Sequence, residues 1–259
     1  MRPDYLSTSQ VARLVGVHPN TVRLYEAWGF ISPVRRSPAG YRRFTEFHLD
    51  QMRLARLVLH GGWPGRSIRQ SAVALVRQSA CGDLGGALEM AYRHLALVQA
   101  ERAQAEAAAQ LLQRWAEGVA TDATDEMLHT SAAARLLGVT VEMLRNWERN
   151  GLIRIPRDPT NGYRRYGANE IGRLRVIRML SRAGYSTMAI LRMLLHFDQR
   201  DKVSPGSVGD LRQVLDTPCP DEDVYGASDR WLSALAEQEE RARQIIESLE
   251  AMIYKQGDS

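Results

Sequence analysis

Residues that carry catalysis, metal binding or cross-linking are scarce in this sequence. Its 259 residues include two cysteines, Cys81 and Cys219, which are far apart and are expected to stay reduced. Neither has a second cysteine or a histidine at metal-ligand spacing. The six histidines are scattered, and no nucleophile–base pair or glycine-rich phosphate loop is recognisable. We therefore expect neither an enzyme nor a metal or cofactor site.

Long hydrophobic runs are also missing. No stretch of about 18 apolar residues occurs, so no transmembrane helix is expected. The first ten residues lack the apolar core of a signal peptide. Hydrophobic residues make up 44% and charged residues 25% of the chain, which is typical of a globular protein, here long enough for two domains. We expect the protein to stay in the cytoplasm.

Lysine is nearly absent, since only two of the 34 basic residues are lysines, and charge is unevenly distributed. Residues 1–121 hold 15 basic and 9 acidic residues, residues 122–200 hold 13 and 8, and residues 201–259 hold 6 and 13. The first two segments are therefore basic and the last is acidic. Two basic segments suit a polyanionic partner, although a solvated surface of mixed charge is equally compatible with the counts alone.

The sequence contains an internal repeat. When the chain is shifted by 122 residues without gaps, residues 6–44 match residues 128–166 at 17 of 39 positions. Within this match, Gly40-Tyr41-Arg42-Arg43 recurs as Gly162-Tyr163-Arg164-Arg165. Chance does not produce such a density of identities, so the chain holds two homologous modules.

Each copy has capping and turn residues at the spacing expected for a helix-turn-helix followed by a wing. Thr8 and Thr130 are the expected N-caps of a short first helix, and Gly16 supplies the turn before a second helix that begins near Pro19 and ends near Gly29. Short β segments around a turn predict the wing, at Phe30-Ile31 and Tyr41–Phe44 in the first copy. Two more helices are expected in each copy, at about 45–60, 67–79, 167–182 and 187–198.

A long helix is expected after each copy. Mostly apolar residues recur at alternating spacings of four and three over about 84–117 and 228–254, which is the spacing of a coiled-coil seam. The seam positions are Leu84, Leu88, Ala91, Leu95, Val98, Arg102, Ala105, Ala109 and Leu112, and then Leu235, Gln238, Ala242, Ile245, Leu249 and Met252.

These motifs resemble the MerR family of bacterial transcription regulators. The family signature is T-V-R-x-Y-E on a helix-turn-helix, then G-x-I and G-Y-R-x-F/Y, and here it stands as Thr21–Glu26, Gly29–Ile31 and Gly40–Phe44. The second copy, at Met143–Glu148, Gly151–Ile153 and Gly162–Tyr166, is less faithful. The resemblance covers about 70 residues per copy. It implies a regulator that binds and distorts promoter DNA so that RNA polymerase can engage both promoter elements.

The resemblance and the repeat together predict a mostly α-helical fold with two winged helix-turn-helix domains, each followed by a long coiled-coil-type helix. Family members usually carry one module and dimerise, so the tandem arrangement is a departure. The two modules could form a pseudo-dimer within one chain, or two chains could pair into a homodimer.

The expected segments are a first winged domain at 1–80, a long helix at 81–118, a linker at 119–127, a second winged domain at 128–199, an acidic connection containing Gly and Pro at 200–227, and a C-terminal helix at 228–259.

The second helix of each module is expected to enter the DNA major groove, where arginine can bond guanine. Arg23 and Arg145 are the first candidates, although Arg23 could instead pair with Glu26 on its own helix. Hydroxyls suited to phosphate contact come from Thr21 and Tyr25. In the second copy Met143 and Trp147 replace them, so the two modules could read different half-sites, or the second module could bind more weakly. The remaining candidates, on this helix and on the wings, are Asn146, Trp147, Arg35, Tyr41, Arg42, Arg43, Arg157, Tyr163, Arg164 and Arg165.

Three points stay open at this stage. The wing arginines come in adjacent pairs, and strand alternation sends neighbours to opposite faces, so one of each pair is expected to support the wing rather than touch DNA. We also expect the regulator to respond to a small-molecule effector, whose identity the sequence does not give. Asp221–Tyr225 with Trp231 could hold a cation, but a solvated loop explains the same residues. The region 116–124 contains no cysteine, which argues against metal sensing by the family's usual route.

The alternative function is an architectural or excisionase-like protein that bends DNA without controlling polymerase. For either function we expect a protein of the nucleoid.

Overall fold

The computed structural model describes residues 5–60, 65–116, 127–203 and 230–257, with side chains described as far as residues 110 and 198 in the two helices that precede the longer gaps. Within these ranges the chain is mostly helical, as predicted. The first winged module holds α1 (Thr8–Val15), α2 (Pro19–Ala27), β1 (Arg35–Arg36), β2 (Arg42–Arg43), α3 (Glu46–Leu59) and α4 (Arg66–Ala80), and leads into α5 (Leu84–Ala116). The second module holds α6 (Thr130–Leu137), α7 (Val141–Arg149), α8 (Ala168–Arg182) and α9 (Thr187–Val203), and α10 (Trp231–Gly257) is the C-terminal helix. Most of the predicted linker and acidic connection, including Asp221–Tyr225 and Cys219, lies outside the described residues.

The first helix of each module begins after a different N-cap from the one predicted. Ser7, in extended backbone, accepts a hydrogen bond from the Gln10 backbone N–H, and the Gln10 side chain returns a bond to the Ser7 N–H. This capping box satisfies two backbone donors at once, so the helix starts one residue earlier than a Thr8 cap would allow. In the second copy His129 is the cap and makes no side-chain bond, and Thr130 is already helical. The prediction of Thr8 and Thr130 as caps was therefore wrong.

The wing is a short antiparallel ladder that pairs Arg35 with Arg43 and Arg36 with Arg42. The predicted first strand at Phe30-Ile31 was wrong because the backbone there closes α2. The Phe30 N–H donates to the Tyr25 carbonyl oxygen at 2.9 Å, and both Phe30 and Ile31 are buried. In the second module the described wing residues form one bridge, between Arg157 and Arg164.

The chain divides into two compact units that do not follow its linear order. Unit 1 is Met1–Ala100 together with Leu235–Ser259, and unit 2 is Glu101–Ala234. In unit 1 the C-terminal helix packs into the same core as the first module, with Ile245, Leu249 and Met252 among the buried residues of a cluster that also contains Leu54, Leu75 and Ala87. Burial of this apolar surface favours folding by roughly 25 cal/mol per Å².

Within unit 1, α5 and α10 run antiparallel. The Tyr92 hydroxyl donates to the Glu250 carboxylate at 3.0 Å, and the Gln99 amide donates to Glu239 at 3.2 Å, so residue numbers fall along α10 as they rise along α5. The six predicted seam positions of α10 are all buried, which confirms that seam. In α5, Leu88, Leu95 and Arg102 are only half-buried, and the Leu112 side chain is not described.

In unit 2 the second module packs against the later part of α5 and the first turn of α10. The Tyr185 hydroxyl donates to the Ala105 carbonyl oxygen at 3.2 Å. A Cβ added at Gly184 would lie 2.4 Å from a ring carbon of Trp231, so the indole packs directly on this glycine. Trp231, the one described member of the proposed effector region, is thus a core residue at 7% exposure.

The turn between the first two helices depends on glycine in both modules. Gly16 has φ +70° and Gly138 has φ +58°, the left-handed region that the sequence predicted for Gly16. A Cβ at Gly16 would lie 2.7 Å from an Arg56 Nη1 atom, whereas a Cβ at Gly138 would lie 3.3 Å from an Arg178 Nη2 atom.

We expect Gly16→Ala to lower the free energy of unfolding by about 1 to 2 kcal/mol, because left-handed backbone is strained for a residue with a Cβ. Urea unfolding followed by circular dichroism measures this change. Gly85→Ala is the matched control, since Gly85 lies in α5, has no positive φ and has a Cβ position with no atom closer than 3.9 Å. Equal losses in the two variants would contradict the assignment of strain to the turn.

Candidate nucleic-acid interface

The helix after each turn presents one arginine to solvent at the same repeat position. Arg23 on α2 and Arg145 on α7 are both exposed. Arg23 makes no ion pair with the part of the chain that the structure describes, and Glu26, its expected alternative partner, bonds to Arg42 instead. Arg145 lies 4.0 Å from Glu142. Both guanidinium groups are therefore accessible to an external acceptor.

A carboxylate–arginine pair ties the wing to this helix in each module. The Arg42 Nε donates to Glu26 at 2.5 Å, and the Arg164 Nε donates to Glu148 at 2.7 Å. All four side chains are between 18% and 26% exposed. Charge-assisted hydrogen bonds of this length are stronger than neutral ones. The pair therefore holds helix and wing as one surface, a supporting role for Arg42 and Arg164 that leaves part of each guanidinium exposed.

The other wing arginines have looser surroundings. Arg43 is exposed, with its guanidinium carbon 4.9 Å from the centre of the Tyr5 ring. Arg165 bonds to Asp158 at 2.9 Å. The backbone N–H of Thr160 is the main cause that lowers the pKa of the Asp158 carboxyl, which keeps this wing acid ionised. The neighbouring members of each arginine pair thus meet different partners.

The tip of each wing is open to solvent. Tyr41 is 77% exposed and Tyr163 is 65% exposed. Arg35 and Arg157 are also exposed, and Arg157 donates to the Gly162 carbonyl oxygen at 3.3 Å. Each wing therefore offers one hydroxyl and at least one guanidinium on the same short hairpin.

The remaining candidates divide between surface and core. Asn146 is exposed and Thr21 is half-buried. Tyr25 is half-buried and packs edge-on against Phe30, with ring centres 5.8 Å apart. Burial raises the pKa of the Tyr25 hydroxyl, and the nearby Arg56 charge partly offsets the effect. Trp147, at 6% exposure, belongs to the core of its module, where it offers almost no surface to a partner.

Sequence reasoning missed an arginine beneath each turn. Arg56 on α3 and Arg178 on α8 occupy equivalent repeat positions and reach the turn glycines. In unit 1, Arg56 lines a cleft of about 430 Å³ together with Arg53, His60 and Arg241. The Arg241 Nη1 atom is buried without a hydrogen-bond partner in the described residues. The recurrence of Arg56 at the 122-residue shift was a signal that could have identified it.

The described residues contain no group of three or more His, Cys, Asp or Glu side chains arranged to hold a metal ion. None of their helices has the length and apolar character needed to cross a bilayer.

Comparison with known proteins gives matches for both modules. Residues 7–44 match the model of the MerR family regulatory proteins, and residues 128–196 match the model of the MerR HTH family regulatory proteins. A probable heavy metal-dependent transcriptional regulator of Haemophilus influenzae is 30% identical over 114 residues, which are 42% of this chain and 84% of that protein. No solved structure matches the chain significantly.

Two other relatives match over shorter stretches. The mercuric resistance operon regulatory protein of Shigella flexneri is 29% identical over 95 residues, 35% of this chain and 66% of that protein. The transcriptional regulator CueR of Vibrio cholerae is 41% identical over 49 residues, 19% of this chain and 35% of that protein. The chain thus spans just under two thirds of the first relative and about a third of the second.

Proposed function

The chain belongs to the MerR family of DNA-binding transcriptional regulators, and we propose that it binds and distorts promoter DNA through both of its winged modules. The observation that carries this proposal is the duplicated surface itself. Each module presents an exposed arginine on the helix after the turn, Arg23 or Arg145, and a wing tied to that helix by a carboxylate–arginine pair. An α-helix fits the major groove, and an adjoining wing reaches the phosphate backbone.

The contacts within each module support a different role for each of these residues. Arg23 and Arg145 face outward and read base edges or phosphates. Tyr41 and Tyr163 at the wing tips donate hydroxyl hydrogen bonds to phosphate oxygens, and Arg35 and Arg157 add charge there. Arg42 and Arg164 set the angle between wing and helix. Their remaining N–H groups donate hydrogen bonds to the phosphate backbone of the DNA.

We propose further that one chain supplies both halves of the DNA-binding assembly. Family members usually form homodimers through a long helix. Here α10 lies antiparallel to α5 within unit 1, joined by the Tyr92–Glu250 and Gln99–Glu239 hydrogen bonds. Because the chain's own second long helix occupies this position, no second chain is needed to complete the pairing. The protein acts as a single-chain pseudo-dimer in the cytoplasm, on nucleoid DNA, with RNA polymerase as its partner.

The experiment combines hydrodynamics, footprinting and transcription with the full-length protein. At nanomolar concentration we expect sedimentation as a 29.1 kDa monomer, and a 1:1 complex that protects two half-sites on a duplex obtained by genomic footprinting. In vitro transcription from that promoter should change when the protein is added.

Different outcomes would overturn different parts of this proposal. A dimer whose footprint covers four half-sites would refute the single-chain pairing while leaving promoter binding intact. Protection without any change in transcript would instead favour the architectural function, in which the protein bends DNA and leaves polymerase unaffected.

A further inference from the structure

The two helices proposed to enter the major groove, α2 and α7, are called the reading helices. They differ from each other at exposed positions. The 122-residue shift pairs Asn20 with Glu142 and Ala27 with Arg149, while Arg23 and Arg145 are common to both. Asn20 and Glu142 each occupy the second position of their helix, and both are exposed. The same surface therefore carries an amide in one module and a carboxylate in the other.

The carboxylate of Glu142 lies on the same face of α7 as the exposed arginines. Its Oε1 accepts a hydrogen bond from Arg149 at 2.6 Å, and its Oε2 lies 4.0 Å from Arg145. All three side chains are more than half exposed. Because Arg145 is a first candidate for reading DNA, Glu142 meets the same groove when that arginine does.

The amide of Asn20 is free to act in the first module. Its backbone N–H donates to the His18 ring, which caps α2, but its side chain makes no hydrogen bond with the described residues. Asn20 stands three positions before Arg23, as Glu142 stands before Arg145, so the two pairs are geometrically equivalent.

Base chemistry assigns these two side chains different partners. Asparagine bonds adenine bidentately through N6 and N7, whereas glutamate accepts from the N4 amino group of cytosine and is repelled by phosphates. The exposed Met143 beside Glu142 is apolar, whereas Thr21 at the equivalent position of α2 is polar. This adds to the difference between the exposed surfaces of the two helices.

We infer that the two modules read different half-sites, with adenine selected opposite Asn20 and cytosine selected opposite Glu142. This inference rests on the proposed function. A homodimer displays two identical helices and therefore matches a palindromic site. One chain with two unlike helices has no such requirement, so its operator is non-palindromic and the protein binds it in one orientation.

The test is selection from a randomised duplex library with the full-length protein, followed by fluorescence anisotropy on base-substituted duplexes. We expect enrichment of a site whose halves differ, with about a tenfold loss of affinity when the cytosine opposite Glu142 is changed. In E142N the preference at that base should move to adenine. In the double exchange N20E/E142N, the adenine and cytosine preferences at these two base positions should trade places, while preferences at other positions stay as in the wild type.

Controls separate base reading from helix stability. E142A should lose discrimination at the one base while the first module keeps its preference, whereas E247N, an exposed change on α10, should leave selection unaltered. A glutamate in a first helical turn also interacts favourably with the helix dipole and so stabilises the helix. Loss of this stabilisation would lower the affinity for all duplexes together and would not change which base is preferred.

The outcomes distinguish this inference from the proposed function. Selection of a palindrome by the wild-type protein, or an E142N variant with the wild-type preference, would overturn the inference alone. Absence of binding to any duplex at low ionic strength would overturn the proposed function.

Discussion

Replacing Arg23 and Arg145 together by alanine should weaken binding to the selected promoter duplex about 100-fold, since each well-placed arginine contact is worth about 1 to 3 kcal/mol and 1.4 kcal/mol is a tenfold change. Both side chains are exposed on the helix after the turn, so their loss removes contacts without opening the core. Fluorescence anisotropy across a salt series measures the effect. If the arginines bind phosphates, the slope of log affinity against log salt also falls by about two units, whereas base-edge contacts leave the slope nearly unchanged.

The matched control is R93A/K255A, which removes the same charge from the two long helices. Arg93 and Lys255 are 73% and 59% exposed, and Asp50, the partner of Lys255, keeps Arg53 as a second partner. We expect less than a threefold change in affinity from this variant. If the control loses as much affinity as R23A/R145A, binding depends on total charge and the reading helices have no special role.

Leu249→Ala should destabilise unit 1 by about 2 to 5 kcal/mol, the range for removing a fully buried leucine side chain. Leu249 is 0% exposed and lies in the same cluster as Leu54 and Leu75 of the first module, about 175 to 195 residues earlier in the chain. Hydrogen exchange read by mass spectrometry locates the effect. Amide protection should fall in α3 and α4, over residues 46–59 and 66–80, while residues 130–182 of the second module keep theirs.

Glu247→Ala is the control for this prediction because Glu247 is exposed on the same helix. A surface change of this kind costs within about 0.5 kcal/mol. If Leu249→Ala altered protection only within α10, the C-terminal helix would not be part of the first module's core, and the single-chain pairing would lose its main support.

Local features of the fold were predictable because they depend on neighbours in sequence. The turn at Gly16 requires left-handed backbone, which glycine adopts freely, and the helix that follows starts at Pro19, a residue suited to the first helical position. The errors were also local and had competing explanations. Ser7 capped α1 because the Gln10 side chain could complete a capping box, and Phe30 was buried at the end of α2 although its composition suits a strand.

Roles within the interface were less predictable. Arg42 and Arg43 are identical in chemistry and adjacent in sequence, and strand alternation shows that they diverge without showing which one meets a carboxylate. The answer lies with Glu26, 16 residues earlier, which reaches Arg42. Likewise, the position equivalent to the half-buried Tyr25 holds Trp147, whose burial depends on the packing of its whole module.

The order of the amino acids was sufficient to establish two copies of one winged module and two long helices, because repeats and periodicity can be read from the chain itself. It could not establish where the last helix packs. The seam through Leu235, Ile245 and Leu249 identifies an apolar face, but a period defines only which face is buried and never which surface covers it. Packing resolved this by placing that face against α5 and the first module in unit 1, where the available apolar surface lay.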